Sequence, residues 1–417
     1  MVGTRLHARV ALWFALLAAC EGCWSYRPIE TDKPSFERQV LTKEKDNVQV
    51  SVAVLTAEQS KQYFGLPLEA EGVQAVWLKV TNRNDYGLYI VPLSTDPNYF
   101  SAYEVAFMNH RLLSPQSNRA MDEFLQDSRI RLRVQPHETR SGFLFTNRSE
   151  GTKYVNIEMV HDMGAIRDGF FFQLPNGKFD YEQARRRPDP AASPRDYSIG
   201  ELRRMVENLP CCTTDEKGSR NGDPLNFILV GTEDDVLGAL TRQGWDPTHV
   251  LAGTTAWKTF SAFVKRGTYR HAPVSPLYVF GRSQNIAMQK ARRTIHQRNH
   301  LRLWRANFTC QGKPVWIGQI SRDIGIRFAP NAPFFVTHKI DPDVDDARNY
   351  LAQDLLASEY LYGIAFAKGA PQASIEHPAA NLTGDPYFSD GLRAVMLISS
   401  RPVPEDHIEL LKWEPPR

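Results

Sequence analysis

Between Pro247 and Arg322 the chain holds no Asp or Glu, yet it carries thirteen Lys or Arg residues. Cations without local counter-charge face solvent or a groove, and a guanidinium grips phosphate or carboxylate through two parallel hydrogen bonds. Arg282, Lys290, Arg298, Arg302 and Arg322 are therefore candidate anion-binding residues, and the first four are expected to come together on one face around His300. The acids resume at Asp323 and continue at Asp341, Asp343, Asp345 and Asp346, so pairing across the fold is the competing reading of the same cations.

Acid–base chemistry would draw on His300 or His338 as general base, with Asp341 or Asp343 in support, in a hydrolase acting on a phosphoryl or glycan bond. Ser275, His300 and Asp341 make a nucleophile trio on paper, but Ser275 sits between two prolines without a Gly-x-Ser-x-Gly elbow. The run from His338 through Asp341, Asp343 and Asp345 starts like a calcium loop. Its sixth position is Asp346 rather than glycine and its twelfth is Ala352 rather than glutamate, so an aspartate capping the following helix is the better reading. His296 and His300 have helical ligand spacing, but residues 298–304 alternate like a strand, and no metal is expected. Neither a Walker loop nor a Gly-x-Gly-x-x-Gly fingerprint is present, so no cofactor is expected.

These residues must be delivered to a compartment. Arg5, His7 and Arg9 precede an apolar run from Val10 to Ala19, about half the roughly 20 residues a helix needs to span a bilayer. Leu17-Ala18-Ala19-Cys20 resembles the lipobox of bacterial lipoproteins, in which the cysteine is acylated and becomes the mature N-terminus. Residues 1–19 read as a signal peptide, and Cys20 as the lipidation site that holds the protein to a membrane. Glu21, in place of an inner-membrane-retaining aspartate, favours the outer membrane of a bacterial cell envelope. No later segment approaches eighteen consecutive apolar residues, so the mature chain is expected to be soluble apart from its anchor.

Removing Arg5 and Arg9 takes Lys plus Arg from 50 to 48 against 47 Asp plus Glu, a mature net charge of about +1. That balance by itself argues neither for nor against a polyanionic partner; envelope proteins and an anionic lipid or phosphate are the expected partners, and no nucleic acid is expected. Cys310 could bridge Cys211 or Cys212, or the two neighbours could bridge each other.

Residues 20–46 read as a lipidated tether. An alternating run at Val48, a hairpin formed by the runs at Val76 and Leu88, and further strands at Gly142–Thr146, Lys153–Val160 and Phe170–Leu174, with turn formers between them, predict a β-sandwich domain over 47–182. Residues 183–221 form a linker, Pro-rich from Ala184 to Arg195, with one helix opened by the Ser198–Glu201 capping box. From 222 to 417, strands outnumber the helices at Glu233–Gln243 and Val344–Leu356, which predicts an α+β domain with a largely antiparallel sheet.

Gly222-Asp-Pro-Leu-Asn, Gly244-Trp245, the run from Pro273 to Arg282, Gln289-Lys290, Arg298-Asn-His-Leu-Arg-Leu-Trp304 and the run from Thr337 to Asp345 together resemble the LssY C-terminal-like domain. The resemblance covers about residues 222–400. That family is often fused to membrane domains, including type-2 phosphatidic-acid phosphatases, which implies work near envelope lipids or isoprenoid phosphates. The fused phosphatases carry Ser-Arg-x5-His, whereas Ser321-Arg322 is followed at that distance by Phe328, so phosphatase chemistry does not carry over.

Overall fold

The computed structural model describes residues 25–26, 36–149, 152–174, 194–248, 276–291, 298–328 and 336–413. Cys20, Ser275, His296 and most of the expected Pro-rich linker lie outside them. The chain divides into two compact units: the first runs to Arg148 and includes Met159–Asp162, and the second comprises Ser149–Glu158 and the chain from Met163 onward.

The first unit is β-rich. Strands β1 (Leu41–Lys45), β2 (Val48–Val54), β3 (Val73–Asn82) and β4 (Thr139–Asn147) form a four-stranded antiparallel sheet in that order. Strand β1 lies inside the expected tether, where its lysines and glutamate read as linker; charged residues are what a sheet edge uses to discourage further pairing. Helices α1 (Ala57–Phe64), α2 (Ala102–Met108) and α3 (Pro115–Ser128) bring Phe64, Val105, Met121 and Leu125 into one core with Ala53, Ala75, Phe143 and Phe145 of the sheet. Capping boxes at Thr56 and Ser101 start the first two helices.

The second unit takes in more than residues 222–417. Helix α4 (Ile199–Glu207) starts at the expected Ser198–Glu201 capping box, and Leu202 and Val206 on its buried face join the core. Most of the hairpin Thr152–His161 and Gly164–Gln173, expected in the first domain, also belongs here. Tyr154 packs in the core with helix α5 (Glu233–Arg242), Arg242 reaches Glu158 at 2.8 Å, and the Arg167 guanidinium lies 3.4 Å from the centre of the Tyr360 ring.

The central sheet is largely antiparallel, as expected. Its strands include β5 (Phe227–Val230), β6 (Ile286–Ala291), β7 (Arg298–Cys310), β8 (Lys313–Phe328), β9 (Val336–Ile340), β10 (Leu361–Ala373) and β11 (Ser389–Ile398). The order β6-β7-β8-β5-β11-β10 is antiparallel at every step except β5 with β11. One face buries Leu301, Leu303, Ile320, Phe227 and Met396 beneath α5 and α6 (Val344–Ala357); the other buries Trp304, Ile317, Ile228 and Val395. Gly318 pairs with Phe227, and a Cβ at Gly318 would lie 2.1 Å from that ring. Gly318→Ala should therefore cost about 1–3 kcal/mol, the range for overpacking a filled core. A urea midpoint unchanged from wild type would show that the ring has room to move.

Cys211 and Cys212 bridge each other, leaving Cys310 free and buried. Burial foremost, and the nearby Asp196, push the Cys310 thiol up to about 11, so it is held in its inert protonated form. Among the described residues no helix is long and apolar enough to cross a membrane.

Candidate functional site

Strands β7 and β8 pair through a two-residue turn at Gln311-Gly312, with Asn299 opposite Arg322, His300 opposite Ser321 and Arg302 opposite Gln319. Side chains alternate between the faces of a sheet, so one face receives Arg298, His300 and Arg302 from β7 and Gln319, Ser321 and Asp323 from β8. Gln289 of β6, opposite His300, joins them. Together they form a buried polar island at the end of the apolar face that carries Trp304 and Ile317.

Six of the island's polar side chains orient one another in pairs. Arg298 is 2% exposed and donates from Nη1 to Oε1 of Gln289 at 2.9 Å; Arg302 is 8% exposed and donates from Nη1 to Oε1 of Gln319 at 2.7 Å. A glutamine carbonyl fixes the plane of a guanidinium without cancelling its charge. His300 Nε2 lies 2.7 Å from Oδ2 of the buried Asp323. The other ring nitrogen, Nδ1, is buried and has no hydrogen-bond partner among the described residues.

Asp223 approaches from the connection before β5. Its Oδ1 accepts from Nδ2 of Asn381 at 3.0 Å, and Asn381 is itself fixed by Thr383 and Asp385. Burial foremost pushes the Asp223 carboxyl above its ordinary value, and Asp385 and Asp323 add to this, while Arg302 and Asn381 oppose it. Burial pulls the Arg302 guanidinium down, and Asp223 and Asp323 counter that pull. Arg302 is thus the cation shared by two carboxylates.

The other expected anion-binding residues are elsewhere. Lys290 and Arg322 sit one position out of step with the island, so alternation turns them to the opposite face. There Lys290 Nζ lies 2.8 and 2.9 Å from the two carboxylate oxygens of Asp354, and Arg322 bonds Asp346 and, at 3.2 Å, Asn299. Tyr350 of α6 lies beneath both cations. For these two residues pairing with later acids is what the structure shows. Arg282 belongs to the short strand Arg282–Ser283, where its guanidinium donates to the Arg305 carbonyl and its own carbonyl accepts from Trp304 Nε1 at 3.2 Å.

The expected supporting carboxylates, Asp341 and Asp343, serve the start of α6. Asp343 accepts from the backbone N–H groups of Asp345 and Asp346, and Asp341 accepts from that of Asp343. A carboxylate at that position also complements the helix dipole. His338 lies in β9, and its side chain falls outside what is described. The carboxylate that meets His300 is Asp323, which the acid-free stretch stops one residue short of.

No curated protein matches the chain. Residues 203–392 match the family model described as LssY C-terminus, a span that begins inside α4 rather than at residue 222 and contains every residue of the island. The matched residues all lie in the second unit, so the similarity to the LssY C-terminus family is carried by that unit.

Proposed function

We propose that the chain is a lipid-anchored cell-envelope protein whose second unit binds an anionic envelope component, a phospholipid headgroup or an isoprenoid phosphate, at the island around His300. The observation that carries this reading is Arg298, His300 and Arg302 at alternate positions of one strand, desolvated on one face, with a buried histidine nitrogen still open. Water exclusion strengthens the attraction between these cations and an anion, and the glutamines hold the donors in place beforehand. Titration with inorganic phosphate and with phosphatidic acid in detergent micelles should give saturable binding. Heat of binding no greater than in buffer alone would sink the reading.

A hydrolase is the second reading, favoured by the 2.7 Å contact between His300 and Asp323. A carboxylate that fixes one ring nitrogen leaves the other free to accept a proton, and Ser321 or a water beside it would supply the nucleophile. Release of phosphate from phosphatidic acid that is lost on His300→Ala and Asp323→Asn would establish it.

The anchor rests on the lipobox. Cys20→Ala should leave the protein unprocessed or released from membranes, because several acyl chains together make the attachment stable. A variant that still fractionates with membranes after a high-salt wash would remove the lipid anchor from the proposal.

A further inference from the structure

We infer that the first unit has a membrane contact of its own, an apolar rim made by Tyr103 and Phe107 of α2 and by Leu112 and Leu113 of the turn before α3, lying against the surface of a lipid bilayer. The rim is unusually open to solvent: Leu112 is 94% exposed, Phe107 66%, and Tyr103 and Leu113 are each 52% exposed. A contiguous exposed apolar patch of this kind marks an interaction site, whereas single exposed side chains do not.

The rim is held rigidly. Tyr103 and Phe107 are one helical turn apart, and both rings pack on His110, with centroids 6.4 and 5.3 Å away. His110 Nε2 lies 2.8 Å from Oδ1 of Asp122 on α3, which joins the two helices. The leucine turn is clamped by Asn118, which accepts from the Arg111 N–H at 3.0 Å and donates to the Arg111 carbonyl at 2.8 Å. The leucines are therefore presented by a fixed turn that follows the aromatic residues in the chain, with Arg111 their neighbour in sequence. Leucine tips with Tyr and cationic neighbours are the composition of an interfacial contact, where rings sit at headgroup level and arginine reaches back to phosphate.

A bilayer is the chosen occupant because of where the chain is anchored; in that respect the inference rests on the lipidation of Cys20. Tyr26 is buried in the first unit: its N–H donates to Ser117 Oγ at 3.1 Å and its hydroxyl donates to the Phe64 carbonyl at 2.8 Å. Cys20 is six residues before Tyr26, a reach of at most about 20 Å. Ser117 is four residues after Leu113, at most about 14 Å along the chain. An acylated Cys20 thus keeps the part of the first unit that bears the rim within about 35 Å of the headgroups, close enough for the rim to rest on them.

The test uses the acylated full chain reconstituted in phosphatidylcholine vesicles that contain a lipid with a diazirine on its acyl chain. After illumination, crosslinked peptides are mapped by mass spectrometry, and the mass of the N-terminal peptide reports acylation of Cys20 separately. Crosslinks should concentrate in residues 99–113 and be lost in the variant Phe107→Gln/Leu112→Asn/Leu113→Asn, while the fraction of protein on vesicles stays unchanged because the acyl chains still hold it. These substitutions lie on exposed positions, and an unchanged melting temperature confirms that the variant folds. An acylated chain whose crosslinks avoid 99–113 overturns the rim and leaves the anchor standing. A wild-type Cys20 without acyl chains overturns both. Sedimentation showing a dimer of the Cys20→Ala chain that the triple variant abolishes assigns the rim to a second copy instead, and also overturns the inference.

Discussion

Replacing Arg302 with methionine is expected to lower the stability of the second unit by about 3–5 kcal/mol, the cost of removing one member of a buried charge network. The expected fall in its melting temperature is on the order of 10 °C for a unit of this size. Arg302 is 8% exposed, bonded to Gln319, and electrostatically shared by Asp223 and Asp323. Without it Asp223 and Asp323 lose the cation that offsets their mutual repulsion. The pH dependence fixes the sign: Asp223 already takes up a proton more readily in the folded chain than in the unfolded one, and losing Arg302 strengthens that bias. A carboxyl raised in the folded state contributes stability that is present in acid and lost as pH rises through its folded value. The variant should therefore be nearest to wild type in acid and fall furthest behind at neutral pH, as calorimetry across that range would read. Asp223→Asn added to Arg302→Met should recover part of the loss, since sites in direct electrostatic contact are not additive. A single variant within about 0.5 kcal/mol of wild type would mean that the guanidinium is solvated, as for an ordinary surface position.

That expectation departs from the one the bare sequence gives for the same arginine. An acid-free stretch with thirteen cations reads as a solvated, positively charged surface, but the pleat of β7 and β8 divides it. Even-numbered Arg298, His300 and Arg302 go to one face and Asn299 to the other; Arg322, even-numbered on the partner strand, follows Asn299 because antiparallel register pairs them. The pattern Arg-x-His-x-Arg facing Gln-x-Ser-x-Asp across a two-residue Gln-Gly turn was the signal available for the island. It needs the pairing of residues whose numbers sum to 621, which becomes visible only once 298–310 and 313–328 are taken as one hairpin. Read as the shorter pieces Leu301–Trp304, Pro314–Ile320 and Ile324–Phe328, the strands do not bring Asp323 to His300. Local signals fared better, because their physics is local. The Ser198–Glu201 capping box, the Asp343 cap of α6 and helix α5 after Thr232 depend on hydrogen bonds within four residues. The helices of the first unit were not legible beside its strands: α1 and α3 have few buried side chains apiece, and tertiary packing against Phe143 and Phe145 decides their place. The unit boundary is illegible in the sequence for a related reason. Gly164–Gln173 is buried over most of its length, so it lacks the alternation that would mark which core it faces.

His300→Ala is expected to weaken phosphate binding by roughly 10- to 100-fold, because a hydrogen bond to a charged group contributes about 1.5–3 kcal/mol and tenfold corresponds to about 1.4 kcal/mol. The imidazole is the member of the island best placed to separate function from folding. Arg298 and Arg302 are bonded into the sheet by Gln289 and Gln319, whereas His300 spends one nitrogen on Asp323 and keeps Nδ1 open. Nδ1, when it carries a hydrogen, would donate to a phosphoryl oxygen between the two arginines, and the Asp323 contact at Nε2 fixes the ring's orientation. Asp323→Asn should therefore weaken binding in the same direction as His300→Ala, since an amide holds the ring nitrogen less firmly than a carboxylate does. Both variants leave partly buried groups short of a partner, so each is compared with wild type by urea unfolding before titration, and binding is read only under conditions where it is fully folded. Isothermal titration with inorganic phosphate at two ionic strengths completes the test: affinity should fall as salt rises in the wild type, since the attraction between the cations and an approaching phosphate is screened over about 8–10 Å at physiological ionic strength. Wild-type affinity in folded His300→Ala would place the anion elsewhere and remove the island from the function. Unchanged binding together with lost phosphate release from phosphatidic acid would instead assign His300 to the chemical step, because a group that acts only in the transition state lowers turnover without touching ground-state affinity.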